Sequence, residues 1–272
     1  MSGAVRMPRL GLGTWHMGES RGRRAEEVAA LRAGLDLGMS LIDTAEMYGE
    51  GGAEEVVGEA IRGRRDEVFV VSKFYPHHAS RKKLLAACDG SLKRLGVERL
   101  DCYLYHWRGS VPLEETVPAL EELVRAGKIA SWGVSNFDVG DLDELAGIPG
   151  GGAAAANQVL YHLGERGVEF ALLPLCERRS IEVMAYSPLG EGRLPHDSTL
   201  TQIAARIGAS PAQVALAWLL RDPNVVAIPK AARIEHLRAN RRAADLALDA
   251  DTLAALDRAF PPPRRKTALA MI

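Results

Sequence analysis

Short apolar runs alternate with longer amphipathic stretches from residue 10 onward. Short runs rich in β-branched and aromatic side chains are typical of buried strands, whereas apolar positions that recur every three or four residues are typical of helices. The pattern predicts strands at 10–14, 40–43, 68–73, 100–106, 129–134, 154–158, 181–186 and 225–228. It predicts helices between and after them at 24–37, 52–61, 81–95, 113–126, 139–145, 168–178, 210–221 and 234–246.

Several predicted helix ends carry start and stop signals. Ser210, Pro211 and Gln213 combine an N-cap serine, a proline at the first helical position and a glutamine that can complete a capping box. Ser80 can cap the helix at 81–95, and Gly96 stands where that helix should stop.

Strands that alternate with helices in this way predict a parallel sheet, either open and doubly wound or closed as a (β/α)8 barrel. An open sheet that binds a dinucleotide usually carries G-x-G-x-x-G after a strand. Here the segment GLGTWHMG has glycines only at 11, 13 and 18, and the segment YGEGGAEEVVG lacks the Lys-Ser/Thr of a phosphate-binding loop. The eight repeats and the missing fingerprint both favour the TIM barrel.

Three segments fall outside the eightfold repeat. Residues 5–10 are predicted to form a short hairpin that plugs the barrel floor, and residues 200–207 and 251–259 are predicted to be two extra helices. No linker-like segment precedes Pro261, so we expect residues 1–272 to form one barrel domain with a short tail at 261–272.

Charge and cysteine usage narrow the possible partners. Lys and Arg total 34 against 35 Asp and Glu, and this balance gives no reason to expect nucleic acid or a membrane as a partner. Cys88, Cys102 and Cys176 show no metal-type spacing, so we expect reduced thiols and no bound metal. The first residues lack a long apolar stretch, so no signal peptide is indicated, and we expect a soluble cytoplasmic protein.

Four polar residues follow the ends of three consecutive predicted strands. Asp43 ends the second strand and Tyr48 follows it, Lys73 ends the third strand, and His106 ends the fourth. The carboxyl ends of barrel strands share one face, and the chemistry of such barrels lies on that face. We therefore expect a carboxylate, a phenol, an ammonium and an imidazole to share one pocket.

This set of side chains suits carbonyl chemistry. A free tyrosine has a pKa of about 10 and is a poor acid near neutral pH, but a nearby Lys73 cation is expected to lower that pKa. Asp43 can hold Lys73 in its charged form, and His106 can orient a carbonyl oxygen through a hydrogen bond. Tyr48 can then donate a proton to the developing alkoxide as a hydride reaches the carbon.

Each of the four residues also has an ordinary explanation. Asp43 alone can cap the next turn, Tyr48 can be a packing residue, and His106 can be a buried core histidine. Lys73 alone can end a strand or form a Schiff base. Their occurrence at consecutive strand ends favours the pocket. Two other functions stay open, namely a Schiff-base lyase that uses Lys73 and a redox sensor or regulatory subunit that binds a cofactor.

Longer motifs carry a family resemblance over almost the whole chain. The segments LIDTAEMYGEGGAEEVVGEAI, VVSKFYP, YLYHWRGSVPLEET, GKIASWGVSNF, NQVLYH, AYSPLG and VVAIPK occur in this order. In these motifs the chain resembles an aldo-keto reductase of the bacterial, short-loop type. The resemblance implies a (β/α)8 barrel that binds nicotinamide without a Rossmann domain. It also implies that Asp43, Tyr48, Lys73 and His106 form a catalytic tetrad with Tyr48 as the general acid.

The same resemblance implies a cofactor site for NADPH. Ser135, Asn136 and Gln158 stand where the family binds the nicotinamide amide, Tyr186 where a ring stacks on the nicotinamide, and Ser187 and Leu189 where a loop covers the pyrophosphate. Lys230 stands at the 2′-phosphate position and Asn240 at the adenine position. Trp15 and Trp107 would line the substrate side.

Two departures from the family pattern change the expected specificity. Ala231 and His236 stand where the family commonly has serine and arginine next to the 2′-phosphate, and Arg233 is a candidate replacement. Neutral histidine offers one donor where arginine offers a permanent charge and a forked pair of donors, so we expect NADPH to be preferred and NADH to be accepted.

The loop after Tyr186 and the tail are short, which predicts an open, shallow pocket. We expect a monomer that reduces small aldehydes and dicarbonyls such as methylglyoxal, or else keto-sugars.

Overall fold

Eight parallel strands form one sheet whose order follows the chain from β1 to β8. The computed structural model describes residues 6–272. The strands are β1 (Gly11–Gly13), β2 (Leu41–Asp43), β3 (Phe69–Phe74), β4 (Leu100–Tyr105), β5 (Ile129–Ser135), β6 (Ala156–Leu160), β7 (Glu182–Tyr186) and β8 (Val225–Ala227). Each strand lies within or next to a predicted one, because buried strands are short apolar runs that are readable from the sequence.

Backbone hydrogen bonds between the first and last strands close the sheet into a barrel. The Ala227 N–H donates to the Arg9 carbonyl at 2.8 Å, and the Gly13 N–H donates to the Pro229 carbonyl at 3.1 Å. Glycine is needed at position 13, where a Cβ atom would lie 2.7 Å from the Ile228 carbonyl oxygen. The predicted (β/α)8 barrel is therefore confirmed, and the open doubly wound sheet is excluded.

Helices surround the barrel in the predicted order. They are α1 (Arg24–Asp36), α2 (Gly52–Ala60), α3 (Arg81–Leu95), α4 (Leu113–Arg125), α5 (Val139–Ala146), α6 (Leu172–Arg178), α7 (Ser198–Arg206), α8 (Pro211–Leu220), α9 (Ile234–Ala243) and α10 (Ala250–Ala259). The two predicted extra helices are α7 and α10. The prediction of one helix over 168–178 is wrong at its start, where a 3-10 turn at Gly167–Glu169 precedes α6 and Ala171 has φ −138°.

Helix caps follow the sequence signals with one exception. Ser210 and Gln213 form the predicted capping box at the start of α8, and Gly96 ends α3 with φ 66°. Ser80 stands at the N-cap of α3, but its side chain makes no capping hydrogen bond, so its predicted role is wrong.

An extended segment, and not a hairpin, fills the barrel floor. Of the predicted hairpin at 5–10, residue 5 lies outside the described residues. Residues 6–10 pair only through a parallel bridge from Leu10 to Ala227. The Met7 side chain is 4% exposed and belongs to the apolar cluster inside the barrel. The Met7 N–H donates to both carboxylate oxygens of Glu182 at 3.1 and 3.3 Å, which anchors this plug.

Strand alternation separates the barrel interior from the layer under the helices. The interior cluster contains Met7, Leu41, Val71, Cys102, Leu104, Ala156, Met184, Val226 and Ile228. Successive side chains of a strand point to opposite faces, so residues two positions apart share a face. Asp43, Lys73, His106, Gln158 and Tyr186 each follow an interior residue by two positions. They therefore form a polar layer above the apolar core, at the carboxyl ends of the strands.

No single helix among the described residues is both long and apolar enough to cross a membrane. Taken together, α7 and α8 have the length and the apolar composition of a membrane-crossing segment, but the two helices meet at a bend of 82°.

Candidate active site

A buried ion pair joins β2 to β3 at the floor of the site. The Lys73 Nζ atom lies 2.8 Å from Asp43 Oδ2, and the two side chains are 0% and 3% exposed. Lys73 also donates to the Thr44 carbonyl at 3.0 Å and to the Tyr48 hydroxyl at 3.1 Å. Each of the three N–H groups of the ammonium thus donates to a different oxygen atom.

The surroundings of Tyr48 keep it protonated, contrary to the sequence-based expectation. Burial raises the pKa of Tyr48, and the opposing effect of Lys73 is too small to reverse this shift. Burial alone would lower the pKa of Lys73, but Asp43 and Tyr48 raise it above its ordinary value. The expected lowering of the Tyr48 pKa is therefore wrong, because loss of water penalises phenolate more than one paired cation favours it. A protonated phenol is nevertheless the form that can donate to an alkoxide.

His106 lies beside Tyr48 as a neutral imidazole. The two ring centroids are 5.8 Å apart at an interplanar angle of 75°. Burial, with a further contribution from the Lys73 cation, lowers the pKa of His106 to about 2. The buried Nδ1 atom has no hydrogen-bond partner in the described part of the chain. A buried N–H donor without a partner costs more than a buried lone pair without one, so we assign the proton to Nε2 and the lone pair to Nδ1. The Nε2–H group is then available to donate to a ligand in the cleft.

We expect the imidazole resonances of His106 to stay unchanged between about pH 5 and about pH 8, where a free imidazole titrates near about 6.5. The lowered pKa keeps the neutral form dominant over this whole range. An NMR titration of the protein with labelled histidine measures this, and the His106→Asn variant assigns the signal. A midpoint for His106 near that of free imidazole would contradict the expectation.

A left-handed turn follows Tyr48 and connects it to α2. The turn Tyr48–Gly51 has positive φ at Gly49, Glu50 and Gly51, with values of 57°, 52° and 91°. The positive φ favours glycine at position 51, and a Cβ atom there would also have to displace the Arg94 side chain, which would lie 2.5 Å away. The turn therefore reverses the chain directly after Tyr48 and leads it into α2 at Gly52, while the Tyr48 hydroxyl stays 3.1 Å from Lys73 Nζ.

Amide and hydroxyl groups form a second polar cluster in the same cleft. The Tyr186 hydroxyl donates to Asn136 Oδ1 at 3.0 Å, and Asn136 Nδ2 donates to the His106 carbonyl at 3.3 Å. Ser135 Oγ donates to the Gln158 carbonyl at 2.9 Å. Asn136 has φ 58°, which turns its side chain toward the cleft at a cost in backbone strain. The four residues predicted to bind the nicotinamide therefore lie together.

Gln158 has a structural connection that sequence reasoning missed. Its Nε2 atom donates to Asp43 Oδ1 at 2.7 Å, so Lys73 and Gln158 each hold one oxygen of the same carboxylate. Thr44 was missed as well, although it stands next to Asp43 in the sequence and its carbonyl accepts from Lys73. The amide cluster and the Tyr48 cluster are thus joined through Asp43.

Aromatic and apolar side chains border the cleft. Trp15 is 38% exposed and its ring centroid lies 5.5 Å from that of Tyr48, while the Trp107 centroid lies 4.8 Å from that of His106. Both tryptophans line the cleft as predicted, together with Met47, Met271 and Ile272, which were not predicted.

The short tail was expected to leave the cleft open, but it covers the edge of the cleft near Tyr186. The Lys266 Nζ atom lies 3.1 Å from Asp138 Oδ1, and this ion pair holds the tail against the start of α5. Residues 271 and 272 then reach the cleft beside Tyr186. The expectation of an open, shallow pocket is therefore wrong at this edge, where Met271 and Ile272 line the cleft.

A second cleft adjoins the first and contains the other predicted cofactor contacts. Its lining includes Ser187, Leu189, Lys230, Arg233, His236 and Asn240, and Ser187 lines both clefts. Lys230, Arg233 and His236 are exposed at its rim, whereas Asn240 is 3% exposed. The fold thus brings the predicted site residues to two connected clefts on one face of the barrel, except Lys73, which is buried beneath the first cleft and contacts Tyr48 from there. An extended ligand can pass from the tetrad to the cationic rim by way of Ser187.

Comparisons with known proteins agree with this geometry. The family model described as "Aldo/keto reductase family" matches residues 9–260. The chain is 52% identical over 276 aligned residues to methylglyoxal reductase YeaE of Escherichia coli K12, covering 100% of this chain and 97% of that protein. It is 36% identical over 259 residues to a glyoxal reductase of Bacillus subtilis, covering 93% of this chain and 89% of that protein.

A solved structure shows the same fold at similar identity. It is an aldo-keto reductase from Klebsiella pneumoniae in complex with NADPH, with a TM-score of 0.96 and 53% identity, covering 97% of this chain and 95% of that one. A family match over most of the chain, together with relatives of this identity and coverage, shows that this chain belongs to the aldo/keto reductase family.

Proposed function

We propose that this protein reduces small aldehydes and dicarbonyls, with methylglyoxal as the first candidate, using NADPH as the hydride donor. The observation that carries the proposal is the buried chain of contacts from Asp43 through Lys73 to the Tyr48 hydroxyl, at 2.8 and 3.1 Å, on the floor of an open cleft. The methylglyoxal reductase at 52% identity and the NADPH complex at 53% identity support the substrate and the cofactor.

The four side chains of the tetrad divide the acid chemistry among them. A carbonyl oxygen in the cleft accepts hydrogen bonds from the Tyr48 hydroxyl and from His106 Nε2, which hold the carbonyl carbon facing the nicotinamide subsite. Bound NADPH supplies the hydride to that carbon. Tyr48 gives its proton to the alkoxide as it forms, and the Lys73 ammonium stabilises the phenolate that remains. Asp43 and Gln158 keep Lys73 charged and in place.

The residues of both clefts fit NADPH. Ser135, Asn136 and Gln158 offer donors and acceptors for the planar carboxamide, and the Tyr186 ring lies beside them for stacking on the nicotinamide. Ser187 and Leu189 would contact the pyrophosphate. At the far rim, Lys230, Arg233 and His236 would offer cationic or hydrogen-bonding groups to the 2′-phosphate, and Asn240 would contact the adenine.

A panel of carbonyl compounds tests the proposal directly. Methylglyoxal, glyoxal, small aldehydes, keto-sugars and a bulky steroid ketone are each mixed with enzyme and NADPH, and the loss of NADPH absorbance is followed. We expect the highest kcat/KM for the small aldehydes and dicarbonyls, because Trp15, Trp107 and the tail border the cleft. Absence of NADPH oxidation with every small carbonyl would overturn the proposal, and a preference for keto-sugars would move it to that class.

The ratio of kcat/KM with NADPH to that with NADH is expected to lie above one and below about a thousand, which corresponds to about 4 kcal/mol. Lys230 is present to meet the 2′-phosphate, but Ala231 and His236 lack the hydroxyl and the permanent charge that would strengthen discrimination. Initial rates with saturating methylglyoxal and varied coenzyme measure the ratio. A ratio above about a thousand, or a preference for NADH, would contradict this prediction.

The Schiff-base lyase is disfavoured by the state of Lys73. A Schiff base needs a neutral amine that a substrate can reach, but the Lys73 side chain is 0% exposed and its pKa is raised by Asp43 and Tyr48 against the effect of burial. Borohydride in the presence of an aldehyde is therefore expected to leave no adduct on Lys73. An adduct at that residue, detected by mass spectrometry, would restore the alternative.

We also propose that residues 1–272 act as one catalytic unit, as a monomer in the cytoplasm. Its support is that Asp43, Tyr48, Lys73 and His106 meet within a single barrel, so that the site needs no residue from a second copy. Light scattering at working concentration tests the oligomeric state.

A further inference from the structure

We propose that His236 makes the choice between NADPH and NADH depend on pH, because it takes up a proton when the 2′-phosphate binds beside it. This inference rests on the proposed function and deepens it, since it assigns a specificity-determining role to one residue of the second cleft. It predicts that the preference for NADPH weakens as the pH rises through the neutral range.

A direct contact joins His236 to Arg233 at the rim of the second cleft. The Arg233 Nη2 atom lies 2.7 Å from His236 Nε2. Arginine keeps its protons at all accessible pH values, so the guanidinium must donate and Nε2 must accept. Only a neutral imidazole with its proton on Nδ1 can accept in this way. Protonation of His236 at Nε2 would remove this acceptor and with it the contact from Arg233.

Charged groups line the cleft around His236, and a bound anion would change the balance among them. Lys230 and Arg233 face the same cleft, so the empty rim is cationic and opposes a further positive charge. Glu191 also lines the cleft, but its Oε2 atom lies 3.2 Å from Arg193 Nη2, and Glu235 precedes His236 on α9. His196 is the second histidine in the lining of the cleft. A dianionic phosphate between Lys230, Arg233 and His236 would favour imidazolium and replace the lost contact from Arg233.

The sign of the pH dependence follows from linkage. If the 2′-phosphate favours the protonated form of His236, binding of NADPH must take up protons near neutral pH, and its affinity must fall as the pH rises. NADH lacks this phosphate, so its affinity should change little. Because His236 is exposed and screened by water, we expect the NADPH preference to fall only about fivefold between about pH 6.5 and about pH 8.5.

Equilibrium binding tests this without turnover. Dissociation constants for NADPH, NADH, 2′,5′-ADP and 5′-ADP are measured by calorimetry across this range, in buffers of different ionisation enthalpy that reveal proton uptake. The phosphate itself titrates near about pH 6, so wild type is compared with His236→Gln, in which that contribution remains. We expect proton uptake with NADPH and 2′,5′-ADP in the wild type and its loss in His236→Gln. His236→Arg, with a permanent charge, should bind NADPH more tightly and lose the dependence attributed to His236.

A second histidine of the same cleft provides the matched control. His196→Gln should keep the pH dependence of the wild type. Loss of the dependence in His196→Gln, or its persistence in His236→Gln, overturns the inference. Aldehyde reduction by the wild type is measured separately. Normal turnover with a preference that does not vary with pH would overturn this inference alone, whereas failure to bind NADPH would overturn the proposed function with it.

Discussion

Replacement of Tyr48 by phenylalanine is expected to lower kcat for aldehyde reduction by about a thousandfold, which is within the usual range for loss of a general acid. The substitution removes the hydroxyl that lies 3.1 Å from Lys73 Nζ and keeps the ring that packs against Trp15 and His106. The dissociation constant of NADPH should stay within about threefold of the wild-type value, because the substitution removes only one hydroxyl group. A threefold change corresponds to less than about 1 kcal/mol in binding free energy. Stopped-flow turnover and fluorescence titration provide the two measurements.

Tyr103→Phe is the matched control for this substitution. Tyr103 is also fully buried, and its hydroxyl has no hydrogen-bond partner among residues 6–272. It lies on β4 outside the lining of the active-site cleft, so its loss should leave kcat within about twofold and should not lower stability, because no hydrogen bond is lost. Undiminished turnover in Tyr48→Phe would falsify the assigned mechanism. The same would be true if Tyr103→Phe lost activity equally, since any buried hydroxyl would then produce the effect.

Replacement of Lys73 by methionine is expected to cost about 3 to 5 kcal/mol in the free energy of unfolding and to abolish measurable turnover. The variant leaves the Asp43 carboxylate buried without its ion-pair partner, and the single remaining side-chain bond from Gln158 does not neutralise the charge. It also removes the cation that stabilises the Tyr48 phenolate during proton transfer. Urea unfolding and NADPH oxidation measure the two effects.

The double variant Lys73→Met/Asp43→Asn separates the two effects. Removal of both charges should recover at least about half of the lost stability, because no uncompensated buried charge remains. It should not recover turnover, because Lys73 is still absent. A double variant that is as unstable as Lys73→Met would mean that packing of the lysine chain, and not its charge, stabilises the barrel.

Predictions that depend on local pattern agree closely with the structure. The eight strands and their order are visible as short apolar runs, since a strand buried on both faces has few polar positions. The capping box at Ser210 and the glycine stop at Gly96 also depend only on neighbouring residues. Predictions that depend on distant contacts were less accurate. The helix over 168–178 breaks at Ala171, and the segment at 6–10 pairs with β8.

The same division applies to the site. The positions of Asp43, Lys73 and His106 at strand ends follow from the sequence, since parallel strands of a barrel present their carboxyl ends on one face. The sequence offered no sign that Gln158 would hold Asp43 from across the barrel, or that residues 271 and 272 would reach the cleft. Such contacts depend on the register of distant strands and on the docking of the tail through Lys266.

By itself, the sequence determined the order of the strands, the closed barrel and the set of polar groups that meet at its mouth. Only the tertiary structure decided how those groups titrate, because a pKa depends on burial and on distances that no local pattern contains. Tyr48 illustrates the difference. The sequence correctly placed a lysine beside it, but the loss of water around the buried phenol outweighs that cation and raises the pKa.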